Sequence, residues 1–138
     1  MSFEPENALE EALLRANKSP MTRREFERQL LGSDVIVIGE IEGRDLSPAG
    51  APLLPGERLK VAFTKRDGRT YVPVFTSRTR LHAYLSQSRG YVSLPGRALM
   101  EMTRGATLLL NLGSDVGKEI LPEEIARMLD PGTLGLVP

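Results

Sequence analysis

Four consecutive β-branched residues, Val35-Ile36-Val37-Ile38, constrain this chain more than any other feature. Such a run leaves no polar face and suits a buried strand, so Asp34–Ile41 is predicted as a strand inside a sheet. It is one of the two longest apolar stretches, with Leu108–Leu110. Neither approaches the roughly 18 apolar residues of a membrane helix. The N-terminus, Met1-Ser2-Phe3-Glu4-Pro5-Glu6, is acidic and lacks the basic start and apolar core of a signal peptide. These features predict a cytoplasmic protein with no membrane association.

The sheet needs helices to cover it. Leu9, Leu13 and Ala16 recur at helical steps and predict a helix over 6–18. A second helix is predicted from Thr22 to Gly32. Thr22 and Glu25 have capping-box spacing, Met21 and Phe26 have staple spacing, and Phe26 and Leu30 share a face. After the strand at 34–41, residues 42–57 hold Pro48, Gly50, Pro52, Pro55 and Gly56 and read as a surface loop. Leu59–Lys65 and Thr70–Thr76 read as a hairpin around Asp67-Gly68, since Asp-Gly supplies the positive φ angles of a tight turn. Pro73 removes a ladder donor, which predicts an edge or a bulge there.

Beyond Ser77, helix and strand patterns alternate. A helix is expected from Ser77 to about Ser88 with Leu81, Tyr84 and Leu85 inward, then a short strand at Tyr91–Leu94. Pro95 opens a helix with Ala98, Leu99 and Met102 on one side. Ala106–Leu112 reads as a strand and Asn111–Glu119 as a turn-rich loop. Pro122 opens the last helix, with Glu123 and Glu124 in the first turn, Ile120 and Ile125 at staple spacing, and a stop at Asp130-Pro131-Gly132. The expected class is α+β: a mixed β-sheet of about five strands with helices packed against it, two N-terminal helices first. The 138 residues fit a single domain spanning 1–138.

Composition closes several routes to chemistry. The chain has no cysteine, which removes disulfides, thiol catalysis and Cys-based metal sites. His82 is the single histidine, no set of ligands is spaced for a metal, and no Gly-x-Ser-x-Gly elbow surrounds a serine. Glu123 and Glu124 are adjacent, so they diverge on the helix and do not form an acid–base pair. No catalytic residue, metal or cofactor is therefore expected. Net charge is zero, yet ten basic residues face only Asp67 and Glu101 between Arg58 and Arg104, leaving +8 there and −8 on the flanks. This basic middle reads either as a face balanced in space by the acidic flanks or as an anion-binding surface. Neutrality overall and a scarcity of aromatics rank nucleic acid last among partners.

Gly113-Ser114-Asp115-Val116-Gly117-Lys118 is close to a phosphate loop. Three residues rather than four separate its glycines, and Glu119 stands where a P-loop has Ser or Thr for Mg²⁺. It reads as a glycine-dependent turn, with or without a role in presenting Asn111, Ser114, Asp115 and Lys118 to a ligand or partner.

Three stretches taken in order carry a resemblance. They are Tyr71-Val72-Pro73-Val74-Phe75-Thr76-Ser77, Tyr91-Val92-Ser93-Leu94, and Leu108–Glu119 followed by Pro122-Glu123-Glu124-Ile125. Together, over roughly Asn7 to Leu129, the chain resembles the N-terminal domain of the enhanced serine sensitivity protein B (SseB-type) family. That pattern usually has Asn-Pro-Gly-Ser where this chain has Asn111-Leu112-Gly113-Ser114. Longer members carry a second, C-terminal domain, and the resemblance implies that this chain corresponds to the first. The family is named for a growth phenotype with serine, not for a reaction. The resemblance implies a non-catalytic binding or regulatory module marked by Phe75, Thr76, Ser77, Asn111, Gly113, Ser114, Gly117 and Lys118, with a protein as the expected partner. The alternative is a protein or enzyme that binds an anionic metabolite or amino acid with the Gly113–Lys118 loop. Homo-oligomerisation stays open. If the strands ending at Phe75 and Leu110 are neighbours, Ser77 and Ser114 are expected on the same side of the molecule.

Overall fold

The computed structural model describes residues 4–46, 50–85 and 89–130. It begins with two helices, α1 (Ala8–Lys18) and α2 (Arg23–Gly32), which pack on each other. Asn7 caps α1, its Oδ1 accepting from the Glu10 amide at 2.8 Å. The start of α2 differs from expectation. Pro20 begins a 3-10 turn over Pro20–Thr22, so the chain is already coiled before Thr22 is reached. The Thr22 hydroxyl donates back to the Ser19 carbonyl at 2.8 Å and caps nothing. Met21 is 92% exposed and does not staple to the buried Phe26.

The strands are β1 (Asp34–Ile41), β2 (Gly50–Pro52), β3 (Leu59–Val61), β4 (Thr64–Arg66), β5 (Arg69–Phe75), β6 (Tyr91–Pro95), β7 (Thr107–Leu110) and β8 (Lys118–Ile120). Three further helices are α3 (Arg78–Tyr84), α4 (Gly96–Met102) and α5 (Pro122–Leu129). The sheet is mixed, in the order β2-β6-β1-β5-β7-β8. The α+β class holds, with more strands than the expected five because short ones form inside predicted loops. In the 42–57 segment, Gly50–Pro52 adds to β6 in parallel as an edge strand. In the Asn111–Glu119 segment, Lys118–Ile120 turns back antiparallel on β7. Neither has the length or the β-branched pattern that marks a strand in sequence; each is held by its neighbour's ladder.

Strands β1 and β5 pair directly only at Ile36 with Phe75 and Val37 with Val74. Beyond that they part, and the 59–66 segment fills the fork, β3 pairing with β1 and β4 with β5. The predicted first strand of the hairpin is therefore broken at Ala62-Phe63. Its turn is as expected, with Asp67 at φ 53 and Gly68 at φ 79. Pro73 lies in an interior strand, not at an edge. The Val74 carbonyl accepts from Asn111 on the β7 side at 2.8 Å, so the ring nitrogen of Pro73 points towards β1, past the last paired residues. The lost donor falls where no ladder exists.

Alternation along β1 builds two cores. Val35, Val37 and Ile41 join Val72, Val74, Leu108, Leu110 and Ile120 beneath α1, α2, α4 and α5. Ile36 and Ile38 point the other way and meet Phe75 and Leu81 of α3. The α3 helix ends at Tyr84, with Leu85 extended, short of the predicted Ser88; residues 86–88 lie outside the described residues. Tyr84 and Met102, both expected inward, are largely exposed, and Met100 takes the core position on α4. In α5, Pro122 occupies the first turn, and the Glu124 carboxylate accepts from the Leu121 amide at 3.1 Å. Ile120 and Ile125 are both buried; Pro131 and Gly132 lie outside the described residues. No helix among the described residues is long and apolar enough to cross a membrane.

Candidate functional site

Strands β5 and β7 are parallel neighbours, with Val74 opposite Leu110. Parallel strands end at the same side of a sheet, so the segments Thr76-Ser77 and Asn111–Gly117 leave together, with Ser77 and Ser114 beyond one end of the pair. Asn111 turns the chain out of β7 at φ 57, in the left-handed region that Asn tolerates better than most residues. Its buried side chain spans to β5: Oδ1 accepts from the Thr76 amide at 3.0 Å, and Nδ2 donates to the Thr76 hydroxyl at 2.9 Å.

The Thr76 hydroxyl in turn donates a hydrogen bond to Glu10 Oε2 at 2.6 Å. Glu10 is fully buried and also accepts from the Glu6 amide at 2.9 Å and from Arg80 through Nε at 3.2 Å and Nη2 at 3.1 Å. Arg80 reaches the Glu4 carbonyl as well. The Asn7 amide donates to the Thr76 carbonyl at 2.9 Å. Ser77 caps α3, its hydroxyl accepting from the Arg80 amide at 3.3 Å. One connected network therefore ties α1, α3, β5 and β7 together. Burial pushes the Glu10 carboxyl up, but bonds from Thr76, Arg80, the Glu6 amide and Ser77 outweigh it and hold the pKa below the usual value. Glu10 is a charged anchor rather than a proton donor.

The eight residues singled out in the sequence divide into groups. Phe75 lies in the second core, its ring 5.4 Å from Tyr84. Thr76 and Asn111 are buried in the network. Ser77 and Ser114 are half-buried, and Gly113 is exposed, beside Ala83 and Tyr84 of α3. Gly117 is required by space, since a Cβ there would lie 2.6 Å from the Leu110 carbonyl oxygen. Its own carbonyl accepts from Asn17 of α1 at 3.3 Å. Lys118 stands opposite Leu110 in the ladder and so faces the helical layer. Burial pushes its ammonium pKa down, nearby Arg23 adds to this, and Glu27 opposes it. Lys118 thus belongs to the β8 ladder, while Ser114 stays in the turn before it. An open depression of about 250 Å³ lies over the turn, lined by 109–114 and 117–119.

A phosphate loop is excluded on geometry. The turn runs into β8, and α5 starts only at Pro122, so the Gly113–Lys118 segment does not lead into a helix N-terminus as a phosphate loop does. His82 is exposed, edge-on to Tyr91 at 6.3 Å. Among the described residues no group of three or more His, Cys, Asp or Glu could hold a metal.

Sequence reasoning missed the buried carboxylates. Glu27, 1% exposed, accepts from Arg127 at 2.6 Å and lies 3.5 Å from Arg23, which also pairs with Glu124. A signal existed for both. Glu27 precedes Leu30 and Leu31 by three and four positions, so it falls on the apolar face of α2. Asn7 and Glu10 have capping-box spacing; in the fold Glu10 serves the Glu6 amide and the Thr76–Arg80 network instead.

The SseB protein N-terminal domain model matches residues 9–127. The chain is 35% identical over 127 residues to Protein SseB of Escherichia coli (strain K12), and equally to Protein SseB of Shigella flexneri. Each match covers 91% of this chain and 47% of the relative, so the chain spans about half the length of the curated relatives it matches. No solved structure matches it. With the matched region taking in both core layers and the whole β5–β7 junction, this chain belongs to the SseB family, to which it corresponds as the N-terminal domain.

Proposed function

We propose that this domain is a non-catalytic binding or regulatory module of the SseB type. It acts in the cytoplasm on a protein partner and bears on the serine sensitivity for which the family is named. One observation carries the reading. The polar side chains at the β5–β7 junction are spent on one another, Thr76 on Asn111 and Glu10, and Glu10 on Arg80. A catalytic group must be free to meet a substrate; these groups instead fix two loops in one geometry. A preorganised edge carrying Ser77, Gly113 and Ser114 is what a recognition surface needs, because little ordering remains to be done on binding.

The test uses the domain as bait in extract of the native cell, as wild type and as Ser114→Arg. Lys118 is left intact because it is a half-buried member of the β7–β8 ladder. A partner retained by wild type, lost with Ser114→Arg, and accompanied by an unchanged melting temperature supports the reading. Equal capture by both removes the edge from the interface. Stabilisation of the wild type by amino acids or phosphates would favour the small-ligand alternative.

A further inference from the structure

At the other end of the same two strands lies an open groove of about 410 Å³, lined by apolar side chains together with Thr70, Thr103 and Arg104. The α4 helix stops at Met102, and beyond it Phe63 and the core-margin residues Leu59, Val61 and Val72 line a trough. Phe63 is 56% exposed and Met102 51%. Phe63 owes its position to the break between β3 and β4, where the 59–66 segment turns at the fork. The volume is in the range of roughly 300–1,000 Å³ that recognition pockets occupy.

The surroundings are predominantly basic. Arg104 lines the groove, and Lys65 lies opposite Thr70, a second lining residue, in the β4–β5 ladder. Arg58, Lys60, Arg66 and Arg69 belong to the same basic stretch, and all are exposed. The acidic flanks do not balance it. Among the described residues, Arg80 is the one member of the ten basic residues in 58–104 that forms an ion pair. The flank acids Glu25, Glu27, Glu57 and Glu124 pair with arginines outside that stretch. Asp67 and Glu101 are the exposed acids within it, and neither lines the groove.

We infer that this groove docks an acidic amphipathic segment of a partner protein, a large apolar side chain entering between Phe63 and Met102 while flanking carboxylates meet Lys65 and Arg104. The exposed apolar side chains in the lining favour a peptide over a nucleic acid, whose phosphates would find nothing in Met102 or Phe63 to bind. The inference is independent of the Ser77–Ser114 edge, which lies beyond the opposite end of β5 and β7.

Methionine methyl NMR reads the site directly. The chain has five methionines, and Met21, 92% exposed in the turn between α1 and α2, is an internal control. The probe is a synthetic 14-residue peptide with Leu at helical i, i+3, i+4 and i+7 positions and Glu elsewhere. Its Lys-for-Glu counterpart and a scrambled version are controls. The Glu peptide should shift Met102 and not Met21, and bind more weakly as salt rises. Phe63→Ser, and Lys65→Glu with Arg104→Glu, should each weaken it about tenfold. Should Phe63→Ser misfold, the surface charge reversal decides the matter. Ser114→Arg should leave the affinity unchanged, which separates this groove from the other edge. No Met102 shift, equal binding of the Lys or scrambled peptide, or a shift produced by a single-stranded oligonucleotide instead would overturn the inference. So would a Met102 shift on concentrating the protein alone, which would assign the groove to a second copy.

Discussion

The two ends of the parallel β5–β7 pair are built on opposite principles. At the end where the strands finish, the N-termini of α1 and α3 converge and bring Asn7, Glu10 and Arg80 onto Thr76 and Asn111. Each buried group finds a partner, and the two loops are fixed. At the end where the strands begin, α4 runs out at Met102 and large apolar side chains stay in water beside unpaired cations. A buried polar network is stable only when complete, so the first end tolerates little change. Exposed apolar side chains cost little singly, but a concave group of them marks a contact surface.

That contrast can be broken by mutation, starting where the effect is largest. Glu10→Ala strips Arg80 and Thr76 of their common acceptor and should cost about 3–5 kcal/mol in urea unfolding. A loss below about 1 kcal/mol would mean that the junction is not the stable end.

Asn111→Ala leaves the buried Thr76 amide without its acceptor and puts Ala at a positive φ. Together these should cost about 2–3 kcal/mol, with Asn111→Asp less damaging because Oδ1 is kept. Gly117→Ala drives a Cβ towards the Leu110 carbonyl oxygen and should cost about 1–3 kcal/mol. A neutral result would show that the turn yields freely, against its reading as a fixed edge.

The Glu10 anchor also has a pH signature. Its folded pKa lies below the usual 4.5, so its contribution is complete above that value. The contribution falls away as pH drops through the folded value. The stability gap between wild type and Glu10→Gln should therefore be full at neutral pH and narrow in acid; a gap that widens in acid would reverse the assignment. The smallest effects belong to the groove. Phe63→Ser and Met102→Ser should each change stability by no more than about 0.5 kcal/mol, since neither side chain is in the core. A cost of several kcal/mol from either would show that the groove is core after all.

Much of this was legible in the sequence where a local pattern carries its own cause. The β-branched run at 35–38 forms β1 over the expected residues, Asp67-Gly68 forms its turn, and Pro122 with Glu124 starts α5. The SseB-type resemblance, read from the segments at 71–77, 91–94 and 108–125, is matched by the family model over 9–127. The misses share a different character. Strands β2 and β8 are three residues each and exist because a neighbour offers a ladder. Thr22 and Met21 have capping and staple spacing, but Pro20 coils the chain first and takes both out of position. Pro73, expected at an edge or a bulge, sits instead at the fork between β1 and β5.

The candidate site shows the same division. The family resemblance marked Thr76, Ser77, Asn111 and Ser114, and the ends of the apolar runs put their segments at strand-to-loop junctions. That the two ends are adjacent follows from the parallel β5–β7 pairing, which depends on contacts more than thirty residues apart in the chain. The partners Glu10 and Arg80 came from elements whose sequence advertises only helix. Sequence determined the longer strands, the helices and the Asp67-Gly68 turn, since backbone preference and apolar periodicity act over a few residues. Tertiary structure alone decided which polar groups would be buried together and which apolar ones left in water, because desolvation is set by what arrives from the rest of the chain.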